Sequence, residues 1–79
     1  MLKLYYADYC PFCRRVIDNF DQMGVKYQLV DAAPDTAGRE ELLSLGGKAQ
    51  VPFLVDPDRD IQMYESADII EYAKQHYAA

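Results

Sequence analysis

Two cysteines separated by a proline and a phenylalanine, Cys10 and Cys13 in the stretch YADYCPFCRRV, are the residues of this chain best suited to chemistry. Such a pair can be a metal clip, a structural staple or a reactive dithiol. A structural zinc site wants four nitrogen or sulfur ligands. The sequence offers these two thiols and one distant histidine, His76, so no metal is expected and His76 reads as a surface residue. A structural disulfide here would close a very small loop, where the chain-entropy benefit is least, and cytosolic reductants would attack it. The reactive reading has a positive cause. Pro11 suits the first position of a helix, which makes Cys10 the N-cap, where a thiolate meets unpaired backbone N–H groups and the positive end of the helix dipole. Cys13 falls nearly one turn further in, within bonding reach of its partner and more shielded. Cys10 is therefore the expected nucleophile and Cys13 the resolving thiol. Arg14 and Arg15 add positive charge nearby, and Asp8 acts against them.

The elements that must position these thiols are legible in the pattern. LKLYYA reads as a strand running directly into the cysteine stretch. From Pro11, the residues Cys13, Val16, Ile17, Phe20 and Met23 recur at three- and four-residue spacing, and Gly24 supplies the stop, which predicts an amphipathic helix. VKYQLV, residues 25–30, alternates as a second strand, parallel to the first through a right-handed crossover. Pro34, Asp35 and Thr36 announce a second helix over AGREELLSL, ended by Gly46 and Gly47. VPFLV and DIQMY flank DPDR as a hairpin. ESADIIEYAKQHY closes the chain as a third helix starting at Glu65 or Ser66, with Ile69, Ile70, Ala73 and Tyr77 as its buried stripe. The order β-α-β-α-β-β-α, with a C-x-x-C at the first strand–helix junction, predicts a thioredoxin-like α/β fold: a four-stranded mixed sheet with helices on both faces.

Composition narrows the function. Seventy-nine residues, 51% of them hydrophobic, make one domain, residues 1–79, with a single core. The net charge of −5 and eight scattered basic residues argue against a nucleic-acid partner. No stretch approaches the roughly 18 apolar residues of a membrane span, and MLKLYYADY lacks the features of a secretory signal. A cytoplasmic address with no membrane partner is the expectation.

YCPFC, QVPFLV and ESADI, in that order, resemble the glutaredoxin family, with similarity to the N-terminal domain of glutathione S-transferases, and the likeness covers essentially the whole chain. The resemblance implies a glutathione-dependent thiol-disulfide oxidoreductase that reduces protein disulfides and protein-glutathione mixed disulfides. Glutathione would be a co-substrate, with no tightly bound cofactor, and the protein would act as a monomer. Cys10 matches the family nucleophile and Cys13 the resolving cysteine. Phe12 stands where dithiol glutaredoxins usually carry tyrosine, leaving a ring to pack on glutathione without its hydroxyl. Val51-Pro52 matches a pair whose proline is cis and whose valine backbone pairs with the cysteinyl part of glutathione; the alternative is a trans proline opening an edge strand. Glu65 and Ser66 match the pair that receives the γ-glutamyl end, by the free N–H groups of a helix start, the Ser66 hydroxyl and the Glu65 carboxylate; alternatively Ser66 caps its own helix. Gln50 and Lys48 lie beside them, Lys48 as a cation for the glycine carboxylate and Arg39 as a further candidate. Ala7 replaces a lysine common in glutaredoxins, and DIQMYES replaces their usual Gly-Gly bend. Two other classes stay open: a transferase-type glutathione-binding domain, and an iron-sulfur carrier in which Cys10 and glutathione share a cluster between two chains.

Overall fold

The computed structural model describes residues 1–78. Its elements are β1 (Leu2–Tyr6), α1 (Pro11–Met23), β2 (Tyr27–Asp31), α2 (Ala37–Gly46), β3 (Phe53–Asp56), β4 (Ile61–Met63) and α3 (Ser66–His76). The sheet order is β2-β1-β3-β4, with β1 parallel to β2 and antiparallel to β3, and β3 antiparallel to β4. This is the expected thioredoxin-like arrangement, and its logic lies in β1. Period-two alternation sends Leu2 and Leu4 to one face and Tyr5 to the other, and all three are fully buried, as suits a central strand covered on both sides.

On the first face, Leu2, Leu4 and Leu54 pack against Val16, Ile17 and Phe20 of α1 and Ile69 and Ala73 of α3. On the second, Tyr5 and Phe53 meet Ala32 and Leu42 of α2, with the two rings 5.5 Å apart. Burying each of these large apolar side chains contributes about 1.5–3 kcal/mol. The α1 stripe is as the spacing predicts, with Met23 only partly covered. On α3, Ile69 and Ala73 carry the burial, whereas Ile70 and Tyr77 lie at its edge.

Helix ends follow local chemistry. Gly24 takes φ 72°, the left-handed region open to glycine, and lets the Val25 N–H return to the Phe20 carbonyl at 2.9 Å. Thr36 caps α2 by accepting the Arg39 N–H at 3.1 Å.

A further departure concerns a carboxylate. Asp56, read from sequence as a turn residue of DPDR, ends β3 and is 0% exposed. Its carboxylate accepts the hydroxyls of Tyr72 at 2.5 Å and Tyr77 at 2.6 Å, and the Asp58 N–H at 3.2 Å. These bonds tie the hairpin to α3. Burial by itself would raise the Asp56 pKa, but the two hydroxyls and the neighbouring backbone N–H groups outweigh it and hold the carboxyl below the usual range. Tyr77 is the C-cap of α3, just past its last helical residue.

Candidate active site

The start of α1 places the dithiol. Cys10 is the N-cap, with extended backbone (φ −93°, ψ 111°), and Pro11 is the first helical residue, so the ring forfeits no bond that the helix would have made. Cys10 Sγ accepts the Cys13 N–H at 3.3 Å, and the Cys10 N–H donates to the Ala7 carbonyl at 3.1 Å. Both thiols are free, in a small cluster with Ala7. Cys10 keeps 9% of its surface exposed and Cys13 1%. The predicted ranking of access therefore appears, although Cys10 too is largely covered. Burial, followed by the hydrogen-bonding Cys10 sulfur, pushes the Cys13 thiol up to about 12. Arg14 turns along the helix to Asp18 at 3.8 Å, so the Cys10 sulfur meets two groups at hydrogen-bond range, the Cys13 N–H of the helix start, from which it accepts, and the Val51 carbonyl, to which the thiol donates at 3.7 Å.

Across from the thiols lies the loop between α2 and β3. Its Val51-Pro52 peptide is cis, and the Cys10 thiol faces the Val51 carbonyl at 3.7 Å. A groove of about 290 Å³ opens here, lined by Phe12, Gln50, Val51, Pro52, Tyr64, Glu65 and Ser66. Phe12 stands 59% exposed at its rim. Six residues singled out in the sequence thus share one wall-to-wall space beside Cys10.

The start of α3 forms one end of the groove. Glu65 is the N-cap and makes no side-chain capping bond, and Ser66 is the first helical residue; the Ser66 hydroxyl therefore does not cap the helix. The first intrahelical bond runs from the Ile69 N–H to the Glu65 carbonyl at 2.9 Å, so the N–H groups ahead of Ile69 have no partner within the helix. A carboxylate is the natural guest of such an end.

Two cations are placed differently from the rest. Lys48 does not line the groove; its ammonium lies 5.5 Å from the centre of the Tyr64 ring, which does. Arg39, the further carboxylate candidate, instead donates through Nε to the Ala32 carbonyl at 2.7 Å and through Nη1 to the Ala49 carbonyl at 3.5 Å. It braces two loops. A larger cavity of about 390 Å³, at Asp35, Thr36, Ala37, Arg39 and Glu40, includes neither cysteine. Tyr64 escaped the sequence reading because it looks like a strand end in DIQMY; its only signal was adjacency to Glu65-Ser66.

A family model for the glutathione S-transferase, N-terminal domain, matches residues 4–79. A glutathione S-transferase-like protein of Beauveria bassiana (strain ARSEF 2860) is 29% identical over 76 residues, which cover 96% of this chain and 35% of that protein. An uncharacterized glutaredoxin-like 8.6 kDa protein in the rubredoxin operon of Clostridium pasteurianum is 28% identical over 69 residues, 87% of this chain and 92% of that one. Among solved structures, glutaredoxin 2 from Salmonella typhimurium in complex with glutathione matches with a TM-score of 0.76 at 29% identity, over 92% of this chain and 32% of that chain. This chain therefore spans about a third of the transferase-like relative and nearly all of the glutaredoxin-like one.

Proposed function

The chain belongs to the glutathione S-transferase N-terminal domain family, and we propose that it is a glutathione-dependent thiol-disulfide oxidoreductase of the glutaredoxin type. The observation that carries this reading is the dithiol itself: a helix-capping Cys10 sulfur that accepts the Cys13 N–H at the edge of the groove, with a second thiol buried one turn behind it. Glutathione would lie along the groove. Its cysteinyl part would meet the Val51 backbone, its γ-glutamyl carboxylate the opening N–H groups and hydroxyl of Ser66, and its ammonium Glu65. Phe12 would pack on it, Gln50 would supply polar contacts, and Lys48 would leave the Tyr64 ring to meet the glycine carboxylate.

In the reaction, the Cys10 thiolate attacks the glutathione sulfur of a protein-glutathione mixed disulfide. The new Cys10–glutathione S–S bond forms as the old one breaks, and the protein sulfur leaves as a thiolate that takes a proton. A second glutathione thiolate then attacks the glutathione sulfur on Cys10, giving glutathione disulfide and restoring the Cys10 thiolate. With a protein disulfide, the Cys10 thiolate attacks one sulfur and the other leaves as a thiolate that takes a proton; Cys13 then displaces the remaining substrate sulfur from Cys10, its proton passing to that leaving sulfur, and the resulting Cys10–Cys13 disulfide is reduced by two glutathione thiols, which leave as glutathione disulfide. On this reading the protein works in the cytoplasm as a monomer on disulfide-containing and glutathionylated proteins, with no tightly bound cofactor.

The test is deglutathionylation of a glutathionylated peptide by three proteins. Activity should survive Cys13→Ser and vanish in Cys10→Ser; equal rates in all three would sink the mechanism. A second reading, glutathione conjugation to an electrophile, is favoured by the family model and the Beauveria relative. Conjugation of chlorodinitrobenzene without deglutathionylation would establish it in place of the first.

A further inference from the structure

Tyr64 follows β4 and lines the groove, and its hydroxyl is used twice by one residue. It accepts the Lys48 N–H at 3.1 Å and donates to the Lys48 carbonyl at 3.0 Å. The ring is anchored in turn, with its centre 4.5 Å from that of Phe53, a side chain of the second core cluster that is almost wholly buried. The Lys48 ammonium covers the ring. Tyr64 thus joins the core to the segment between α2 and β3, which carries Gln50, Val51 and Pro52 and presents a carbonyl to Cys10.

Gly46, the last residue of α2, makes room for this contact. A Cβ at that position would lie 2.1 Å from the Tyr64 hydroxyl oxygen, 2.7 Å from Cζ and 3.0 Å from a Phe53 ring carbon. No other side chain fits while the hydroxyl stays where it is. Its glycine is therefore explained by the approach of a side chain from the far end of the β3–β4 hairpin.

We infer that Tyr64 is a positioning residue, a clamp that fixes the 47–52 segment as one wall of the groove, with Gly46 the notch that admits its hydroxyl. The clamp's effect on glutathione rests on the function proposed above; the clamp itself does not.

Tyr64→Phe removes the hydroxyl alone, and Gly46→Ala evicts it with Tyr64 still present. In the full chain without ligand, amide exchange at Lys48 should quicken about tenfold or more in Tyr64→Phe, since its N–H loses its acceptor. Glutathione binding should weaken by about 3- to 25-fold, the upper figure corresponding to both hydrogen bonds. The KM for glutathione should rise by a similar factor, with kcat at saturation held within about twofold, a split that general destabilisation would not produce. Gly46→Ala sharpens the test. Helix propensity alone favours alanine there, whereas the clamp requires the same loss of binding as Tyr64→Phe. Unchanged Lys48 exchange in Tyr64→Phe, or a freed segment with glutathione bound as tightly as before, overturns the inference. If the unaltered protein binds no glutathione, the proposed function falls, and Lys48 exchange alone then upholds or overturns the clamp.

Discussion

Iodoacetamide on the reduced native protein at neutral pH should modify Cys10 and leave Cys13 intact. The expected magnitude follows from the Cys13 environment. A thiol of ordinary acidity, about 8.5, is roughly 3% ionised at neutral pH; the buried Cys13, pushed up to about 12, is ionised some 3,000-fold less. The more basic thiolate is the better nucleophile, and over this interval that returns about 25- to 55-fold. The balance is a rate roughly 50- to 120-fold below that of a free thiol before steric cover is counted, and at 1% exposure the cover adds to it. Timed alkylation, quenching and peptide mapping by mass spectrometry read both sites at once. One adduct should accumulate on Cys10, with the second appearing only in denaturant. Native-state modification of Cys13 within a few-fold of the free-thiol rate would refute the assignment of Cys13 as the shielded partner. The glutathione-only cycle should not need Cys13, because a second glutathione thiolate makes the resolving attack.

Asp56→Asn should destabilise the fold by about 2–4 kcal/mol in urea unfolding, because two charge-assisted hydrogen bonds lose their anionic acceptor; a loss under about 0.5 kcal/mol would contradict the tie between hairpin and α3. Since the Asp56 pKa is lowered on folding, its contribution is fully present above the unfolded value of about 3.9 and fades as pH falls through the folded one. Asp56→Asn should therefore flatten the acid limb of stability against pH. Tyr72 behaves oppositely: burial, then the Asp56 bond, pushes it up to about 12, so its contribution holds below about pH 10 and is lost as pH rises toward 12. Tyr72→Phe should remove that part of the alkaline loss, visible in circular dichroism against pH. At the groove, Phe12→Ala should weaken glutathione binding by about 3- to 10-fold, as expected for an exposed ring packing on a ligand, with the fold intact by circular dichroism; calorimetric titration measures it.

What the amino-acid sequence determined about this protein was whatever depends on neighbours in the chain. Pro11 after Cys10 sets a helix start, three- and four-residue spacing sets the buried face of α1, and Gly24 ends it; each is a local rule, and each is met. Family likeness carried the reading on to ligand roles that no local rule assigns, such as those of Val51 and Glu65. Only the tertiary structure decided what converges: that the Val51 carbonyl faces a sulfur 41 positions away, that Arg39 spends its donors on two loop carbonyls, and that Tyr64 belongs to the groove wall. Asp56 shows the limit most clearly. Pro and Asp in DPDR signal a turn whatever surrounds them, and nothing in those four residues announces two tyrosines arriving from a helix 16 and 21 positions on. Hydrogen bonds and burial depend on distance in space, which chain closure sets through the whole packed core, so a carboxylate that reads as a solvated turn residue becomes the buried acceptor holding α3 to the sheet.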